Sequence, residues 1–418
     1  MSIRERVLRG DRFTEKERRN LAILDIIRRT RQISRAEISK ITHLNIVTIS
    51  NYIDDYIAKG LVLERGYDVS TGGRRPELLD LNAKYGYAIG IDLGSPHITE
   101  DSYAVAVVID ASGKIISKAK IKKEEDSQDK LIEKTRKIAR EAFNKSGVDK
   151  ERLRGVGIGC WGVLDRYKGV VRYAVEKGGL FNYTNLQALL EKDLDVPTLV
   201  EHDATAGALG EKWMGMGLNT DADNIIYMCS DSSCGLILNG EIYYGASKSA
   251  GELNINPPSP DYKDNNCWAK YDYGCGFRSR GIDLGVLRRV KDHLKSGKAR
   301  SKILESCGGD IEKITLKMVV DAAAAEDRTA VMFLSEAGDY LGAKMAFLIN
   351  LFNPDAVVIG RGVEKLGEAF ISAVRASAKK WAYEESLKIV RIVPTSLEDD
   401  SIACGAAALV MQQVFARI

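Results

Sequence analysis

The stretch STGGRRPELLDLNAKYGYAIGIDLG, residues 70–94, changes character at its middle. Its first half closes a hairpin. LVLERGYDVSTGGRRPELLDLN, residues 61–82, alternates on both sides of a tip that holds Gly72, Gly73, Arg74 and Arg75. Its second half, YGYAIGIDLG from Tyr85, is an apolar run that ends in a turn, the pattern of a buried strand. A hairpin running into a buried strand marks a boundary near residue 82, between a small head and a large body.

Three helices are expected before the hairpin. NLAILDIIRRTRQ, residues 20–32, carries Leu21, Ile23, Leu24, Ile26 and Ile27 as a helical stripe. In ISRAEISKIT, residues 33–42, Ser34 is followed three residues later by Glu37, a capping box that opens a short helix ending near Thr42. His43–Asn45 makes the turn, and Asn45 caps the next helix. That helix, IVTISNYIDDYIAK (residues 46–59), turns Ile46, Ile49, Ile53 and Ile57 inward and ends at Gly60. Its other face presents Val47, Thr48, Ser50 and Asn51, short side chains that let a helix N-terminus approach base edges in a major groove. Arg74 and Arg75 on the glycine-flanked wing suit phosphate or a minor groove. Arg35 is counted with them as a DNA contact. The order of parts is that of a winged helix-turn-helix.

Charge agrees with this. The 418 residues carry a net +3, but residues 1–76 hold 16 Lys and Arg against 10 Asp and Glu, so the body is slightly acidic. A basic head meets a polyanion. The composition is that of a globular protein, at 45% hydrophobic and 28% charged. No apolar run reaches the ~18 residues of a membrane span, and MSIRERVLRGDRF has no apolar core of a secretory signal. Seven scattered cysteines form no disulfide framework, so a reducing, cytoplasmic setting is expected.

The body mixes strands and helices over about 330 residues, in two similar lobes. SYAVAVVIDASGKII (102–116) reads as strand, turn and strand, and a polar helix follows from Gln128 to Ser146. LRGVGIGC (153–160) is a strand, and PTLVEHDATAGALGEKWMG (197–215) is strand, turn and helix. NIIYMCSDSSCGLILNGEIYYG (224–245) repeats the strand–loop–strand theme, and DAVVIGRGV (355–363) is a late strand with a glycine turn.

These motifs, with STGGRRPELLDLN joined to GIDLG, GIGCWGVLD, VEHDATAGALGE, NGEIYYGASKSAGELN and LFNPDAVVIGRGV, give the chain its resemblance to a family. It resembles the ROK family of repressors, open reading frames and sugar kinases, and within it the repressor branch of xylose- and N-acetylglucosamine-type regulators. The resemblance covers nearly the whole chain. It implies an α/β protein: a winged helix-turn-helix over residues 1–82, then a two-lobed, actin-like ATPase (sugar kinase-like) fold. The first lobe would span 83–205, with the C-terminal helix 400–418 returning to it, and the second 206–399. A ligand would lie in the cleft between them.

Against the family's kinases, both phosphate loops depart from the pattern. Asp-x-Gly-Gly-Thr is here Asp92-Leu93-Gly94-Ser95-Pro96, where the proline also removes a donor N–H. The glycine-rich loop GTGxGxG aligns with Cys229 to Gly235, and Gly235 is the glycine that survives. Asp231 adds negative charge where a triphosphate would lie. The expectation is a dismantled nucleotide site, no cofactor and no kinase activity. The Gly360–Arg361–Gly362 turn is partly kept, and a strand-to-helix turn needs glycine in any case.

The sugar side keeps more. The kinases' Asn-Asp pair is His202–Asp203, and Asp203 stands where the general base would be, as a vestige of it. Asp203 also reads as a helix N-cap. Glu252 remains of Gly-Glu-x-Gly-His, while the histidine has become Asn254. Carboxylates grip sugar hydroxyls well. Trp161 replaces a proline and either stacks on a sugar or fills core. Trp161, His202, Asp203, Glu252 and Asn254 are therefore the expected ligand set. The family's zinc site has lost its histidine here. Cys267 and Cys275 alone cannot close a four-ligand sphere, so no metal is expected. The reading is a dimeric, sugar-responsive regulator that binds operator DNA, the body serving as sensor. A sugar kinase using Asp203 as base, and a DNA-binding protein controlled by a protein partner, are the alternatives.

Overall fold

A computed structural model describes residues 13–67, 77–94, 103–122, 128–165, 170–173, 184–215, 222–229, 233–253, 284–297 and 301–418. The chain divides into two compact units. One holds residues 1–202 and 402–418, the other 203–401. The head therefore belongs to the same unit as the first lobe, where the sequence separates them.

The head comprises α1 (Glu15–Thr30), β1 (Ile33–Ser34), α2 (Arg35–Thr42), α3 (Ile46–Ala58), β2 (Val62–Tyr67) and β3 (Glu77–Leu81). Its ends are set by local chemistry. Both bonds of the Ser34–Glu37 capping box form, and Thr14 and Glu17 make a second box at the start of α1 that the sequence reading missed. β3 pairs with β1 and, antiparallel, with β2. Ile23, Leu24, Ile27, Ile38, Ile49, Ile53 and Tyr56 close the core.

The rest of the first unit is a five-stranded sheet. β4 (Tyr87–Asp92), β5 (Tyr103–Asp110) and β6 (Ile115–Lys122) form an antiparallel meander. α4 (Gln128–Ser146) then leads to β7 (Leu153–Cys160), parallel to β4. β8 (Val163–Asp165), β9 (Val170–Tyr173) and β10 (Thr184–Asn185) form a small side sheet, and α5 (Leu186–Leu194) leads to β11 (Thr198–His202), parallel to β7.

The second unit repeats this plan. After α6 (Asp203–Met214) come β12 (Ile225–Cys229), β13 (Ser233–Leu238) and β14 (Glu241–Ile242), again antiparallel. Helices α7 (Val286–Lys295), α8 (Leu316–Ala324) and α9 (Arg328–Phe352) follow. β15 (Ala356–Gly360) lies parallel to β12, and α10 (Glu368–Trp381) leads to β16 (Arg391–Pro394), parallel to β15. The orders β6-β5-β4-β7-β11 and β14-β13-β12-β15-β16 match strand for strand in direction. Each sheet thus sends the C-terminal ends of its three parallel strands to one edge, where α/β sheets bind ligands.

Helix α11 (Ser401–Ala416) returns the chain to the first unit. From Ile402 to Met411 it is apolar all round, as a buried helix must be, and Ala403, Cys404, Ala406, Ala407 and Ala408 are fully buried. The sheet receives it through glycines. A Cβ on Gly90 would overlap the Ala403 carbonyl, and one on Gly157 the Ala406 carbonyl. Since the obstruction is backbone on both sides, Gly157→Ala is expected to destabilise the protein by about 2–4 kcal/mol. Urea unfolding checks this, and an unchanged midpoint would contradict the close seating of α11.

Candidate functional site

In the head, Asn45 caps α3 by accepting the N–H groups of Val47 and Thr48 at 2.8 and 3.1 Å. Val47 is 62% exposed, Asn51 is exposed, and Thr48 and Ser50 are half-buried. The inward face differs from the expectation. It consists of Ile49, Ile53 and Tyr56; Ile46 stands exposed in the first turn and Ile57 is half-buried. The spacing i, i+4, i+7 aims the core stripe one turn further along the helix. An exposed Ile46–Val47 pair adds methyl groups of the kind that meet thymine methyls.

Arg35 is a correction. Its guanidinium lies 2.9 Å from Glu77, 3.0 Å from Asp54 and 3.7 Å from Glu64. Three carboxylates from α3, β2 and β3 hold it, so it ties the head together rather than reaching for phosphate. Arg74 and Arg75 lie outside the described residues.

In the first unit, β7 and β11 bring two expected residues to the same edge. His202 pairs with Cys160, and Trp161 follows Cys160. Trp161 is 8% exposed and packs in the core with Ile158 and Leu186, which is the core-filling of its two readings. His202 donates its backbone N–H to buried Glu201 at 2.6 Å.

In the second unit Asp203 opens α6 and is 4% exposed. One carboxylate oxygen accepts the Ala204 N–H at 2.6 Å; the other makes an ion pair with Arg361 at 3.0 Å. Arg361 follows β15 in the position that Trp161 holds after β7. It has a left-handed backbone (φ 59°), which its glycine neighbours tolerate and an arginine seldom adopts. From sequence alone this turn reads as partly kept from the family pattern. An arginine set between two glycines at a strand's C-terminal end was the signal available.

Tyr227 anchors the same turn. It is fully buried, accepts the Arg361 N–H at 3.1 Å, and shares a 2.6 Å bond with the Ser401 hydroxyl. Its ring fits because Gly207 of α6 and Gly360 of β15 lack a Cβ; either Cβ would overlap it.

Gly235, the glycine kept from the degenerate loop, has a packing role. A Cβ there would overlap the Ala204 carbonyl, so the glycine lets the start of α6 lie on β13. Two residues earlier Ser233 bridges to Glu252, and the Cys234 N–H donates to the Gly251 carbonyl at 2.8 Å. Asp203 and exposed Glu252 are thus held at the same end of β13. Burial, and next the Glu252 carboxylate, push the Cys234 thiol up to about 12, so it is inert as a nucleophile. Asn254, Ser95, Pro96, residues 230–232, Cys267 and Cys275 lie outside the described residues. Among the described residues no group of three or more His, Cys, Asp or Glu side chains could hold a metal, and no helix is long and apolar enough to cross a membrane.

Beside the Arg361 turn, burial raises the Glu364 carboxyl to about 7, although it accepts the Gly362 N–H at 2.8 Å. A raised carboxyl favours the fold when protonated. Its contribution is complete below the unfolded value near 4.5 and is lost as pH rises through 7. Glu364→Gln should flatten the stability profile across that window and gain on the order of 2–3 kcal/mol at pH 8. Denaturant titrations at pH 5 and pH 8 read this; the same pH slope in both proteins would contradict it.

Known proteins share this architecture. A candidate xylose repressor of Caldicellulosiruptor sp. (strain Rt8B.4) is 31% identical, over 97% of this chain and 98% of its own. The glucokinase of Thermotoga maritima is 28% identical over 78% of this chain and 98% of its own. The crystal structure of a ROK family transcriptional regulator, a homolog of the E. coli MLC protein, superposes with a TM-score of 0.72 at 22% identity, covering 96% of this chain and 97% of that one. Residues 88–413 match the ROK family itself. With that match and a full-length relative, the chain belongs to the ROK family.

Proposed function

We propose that this protein is a sugar-responsive, DNA-binding transcriptional repressor of carbohydrate-use genes, whose kinase-like body serves as the sensor. The Asp203–Arg361 ion pair carries this reading. A general base must be open to the substrate hydroxyl, and here the carboxylate is buried and already engaged on both oxygens. A sugar can use Asp203 only by competing with Arg361 for it, which makes the site a switch. Glu252, exposed at the same end of β13, supplies a second carboxylate. Val47, Thr48, Ser50 and Asn51 read the operator from α3, and Arg74 and Arg75 contact it from the wing. The relative named for xylose makes D-xylose the first sugar to test. The protein needs no cofactor and acts in the cytoplasm.

The kinase reading is supported by the likeness of the body to the glucokinase. Purified protein is expected to phosphorylate no member of a monosaccharide panel with ATP, yet to melt at higher temperature with one of them, because a ligand that binds the folded state stabilises it. ATP-dependent turnover abolished by Asp203→Ala would establish the kinase instead. Selection from random DNA should enrich an inverted repeat. Asn51→Ala should cost about 1–3 kcal/mol at the base pair it reads.

A second copy is the expected occupant of an apolar patch on the second unit. Phe347 and Leu351, one turn apart on α9, are 65% and 59% exposed. Trp381 and Tyr383 are also exposed, and Asn350 draws them in by bonding the Trp381 carbonyl and the Tyr383 N–H. A self-complementary patch matches the two-fold symmetry of an inverted repeat. Phe347→Glu with Leu351→Glu should sediment as a folded monomer and lose operator affinity. A dimer that persists would move the interface elsewhere.

A further inference from the structure

Three aliphatic side chains stand exposed within seven residues at the entry to α3. Ile41, at the end of α2, is 53% exposed, and Ile46 and Val47, which open α3, are 46% and 62% exposed. In the described part of the head these are the large hydrophobic side chains that face solvent. Apolar groups gathered in water mark a surface that something covers. The polar groups around them are already engaged. Asn45 accepts the N–H groups of Val47 and Thr48, so these donors at the helix start are not offered to a phosphate. The Thr42 hydroxyl donates to the Ile38 carbonyl at 2.7 Å, and the Ser39 hydroxyl to the Leu44 carbonyl at 2.6 Å. What Ile46 and Val47 present beside them is methyl groups. Charge then selects the partner. No Asp or Glu lies between Glu37 and Asp54 in the chain. Those two are held within the head, Glu37 by the Ser34 N–H at 2.9 Å and Asp54 by Arg35 at 3.0 Å. Lys40 is exposed next to Ile41, and residues 1–76 hold 16 Lys and Arg against 10 Asp and Glu. An apolar patch on a basic head fits a polyanion that itself carries methyl groups, and thymine supplies them in the major groove of a DNA duplex.

We propose that Ile46 and Val47, with Ile41 close by in the chain, read thymine methyl groups: they fix one or two T·A pairs of each operator half-site by apolar contact. Hydrogen-bond readout is left to Asn51, one turn after Val47 on α3. This rests on the regulator reading above. Thymine alone of the four bases offers a methyl group in the major groove, and the strand that carries it tells T·A from A·T. Specificity at these pairs therefore comes from burial of hydrocarbon. Covering one methyl is worth about threefold to fivefold in affinity.

The test replaces thymine by deoxyuridine, one position at a time, in an operator fragment enriched from random DNA by the full wild-type chain. Deoxyuridine keeps every hydrogen-bonding group of thymine and lacks only the methyl. At one or two positions of each half-site, wild-type affinity should fall by about threefold to fivefold. In a chain carrying both Ile46→Ala and Val47→Ala, the loss at those positions should shrink below about 1.5-fold. Both side chains are exposed, so the double variant keeps the head's core. A fragment in which no deoxyuridine weakens the wild type, or one whose losses are equal in the double variant, overturns the proposal. A double variant that keeps the wild-type response to deoxyuridine but no longer self-associates also overturns it, and gives the patch to a second copy. A wild-type chain that enriches no DNA sinks the regulator reading, and this proposal with it; enriched DNA that is indifferent to deoxyuridine sinks this proposal alone.

Discussion

A carboxylate and a guanidinium, both nearly removed from solvent, face each other where α6 begins and β15 ends. Neither charge tolerates the interior alone; deleting one partner of such a pair costs about 3–5 kcal/mol. The arrangement around them follows from that constraint. Gly235 lets α6 lie close on β13, so that Asp203 arrives at the sheet's edge. The left-handed backbone of Arg361 and Gly362, just past β15, brings the Arg361 guanidinium to it. Tyr227, wedged where Gly207 and Gly360 leave room, fixes the turn's backbone. These atoms hold two elements together.

On the proposed reading such a site has two states: the observed one, in which Arg361 satisfies Asp203, and one in which sugar hydroxyls would. A ligand shifts an equilibrium only by as much as it binds one state better, and displacement of an internal cation supplies that difference. The head does not hang free from the body either. It is docked through Asn20 on the Ala416 and Ile418 carbonyls and through Arg28 on the Ser112 carbonyl at 3.4 Å.

Much of this was legible in the sequence where the cause is local. The Ser34–Glu37 capping box, the Asn45 cap, the Gly60 stop and the alternation of the wing each depend on neighbours within a few residues, and the head's elements emerge at the expected places. The duplicated strand plan was legible for the same reason. What escaped depends on distant partners. Arg35 looks like a DNA contact until Asp54, Glu64 and Glu77, far along the chain, close around it. Ile46 looks inward by period alone; Tyr56 takes the inward place because its hydroxyl has Asn20 to bond. Gly235 resembles a relic of phosphate binding and is kept by packing. Arg361 was hidden because nothing in its neighbours names Asp203, 158 residues earlier, as its partner.

On the proposed reading sugar and operator bind to linked states of one molecule, and linkage is reciprocal. The most direct measurement is calorimetric titration of the full chain with D-xylose, or with the sugar that raises its melting temperature most, in the absence and presence of saturating operator DNA. Sugar affinities are expected to differ by about 5- to 150-fold between the two titrations, the ordinary range of allosteric coupling. Equal affinities would contradict it, and would leave the head under the control of a protein partner instead.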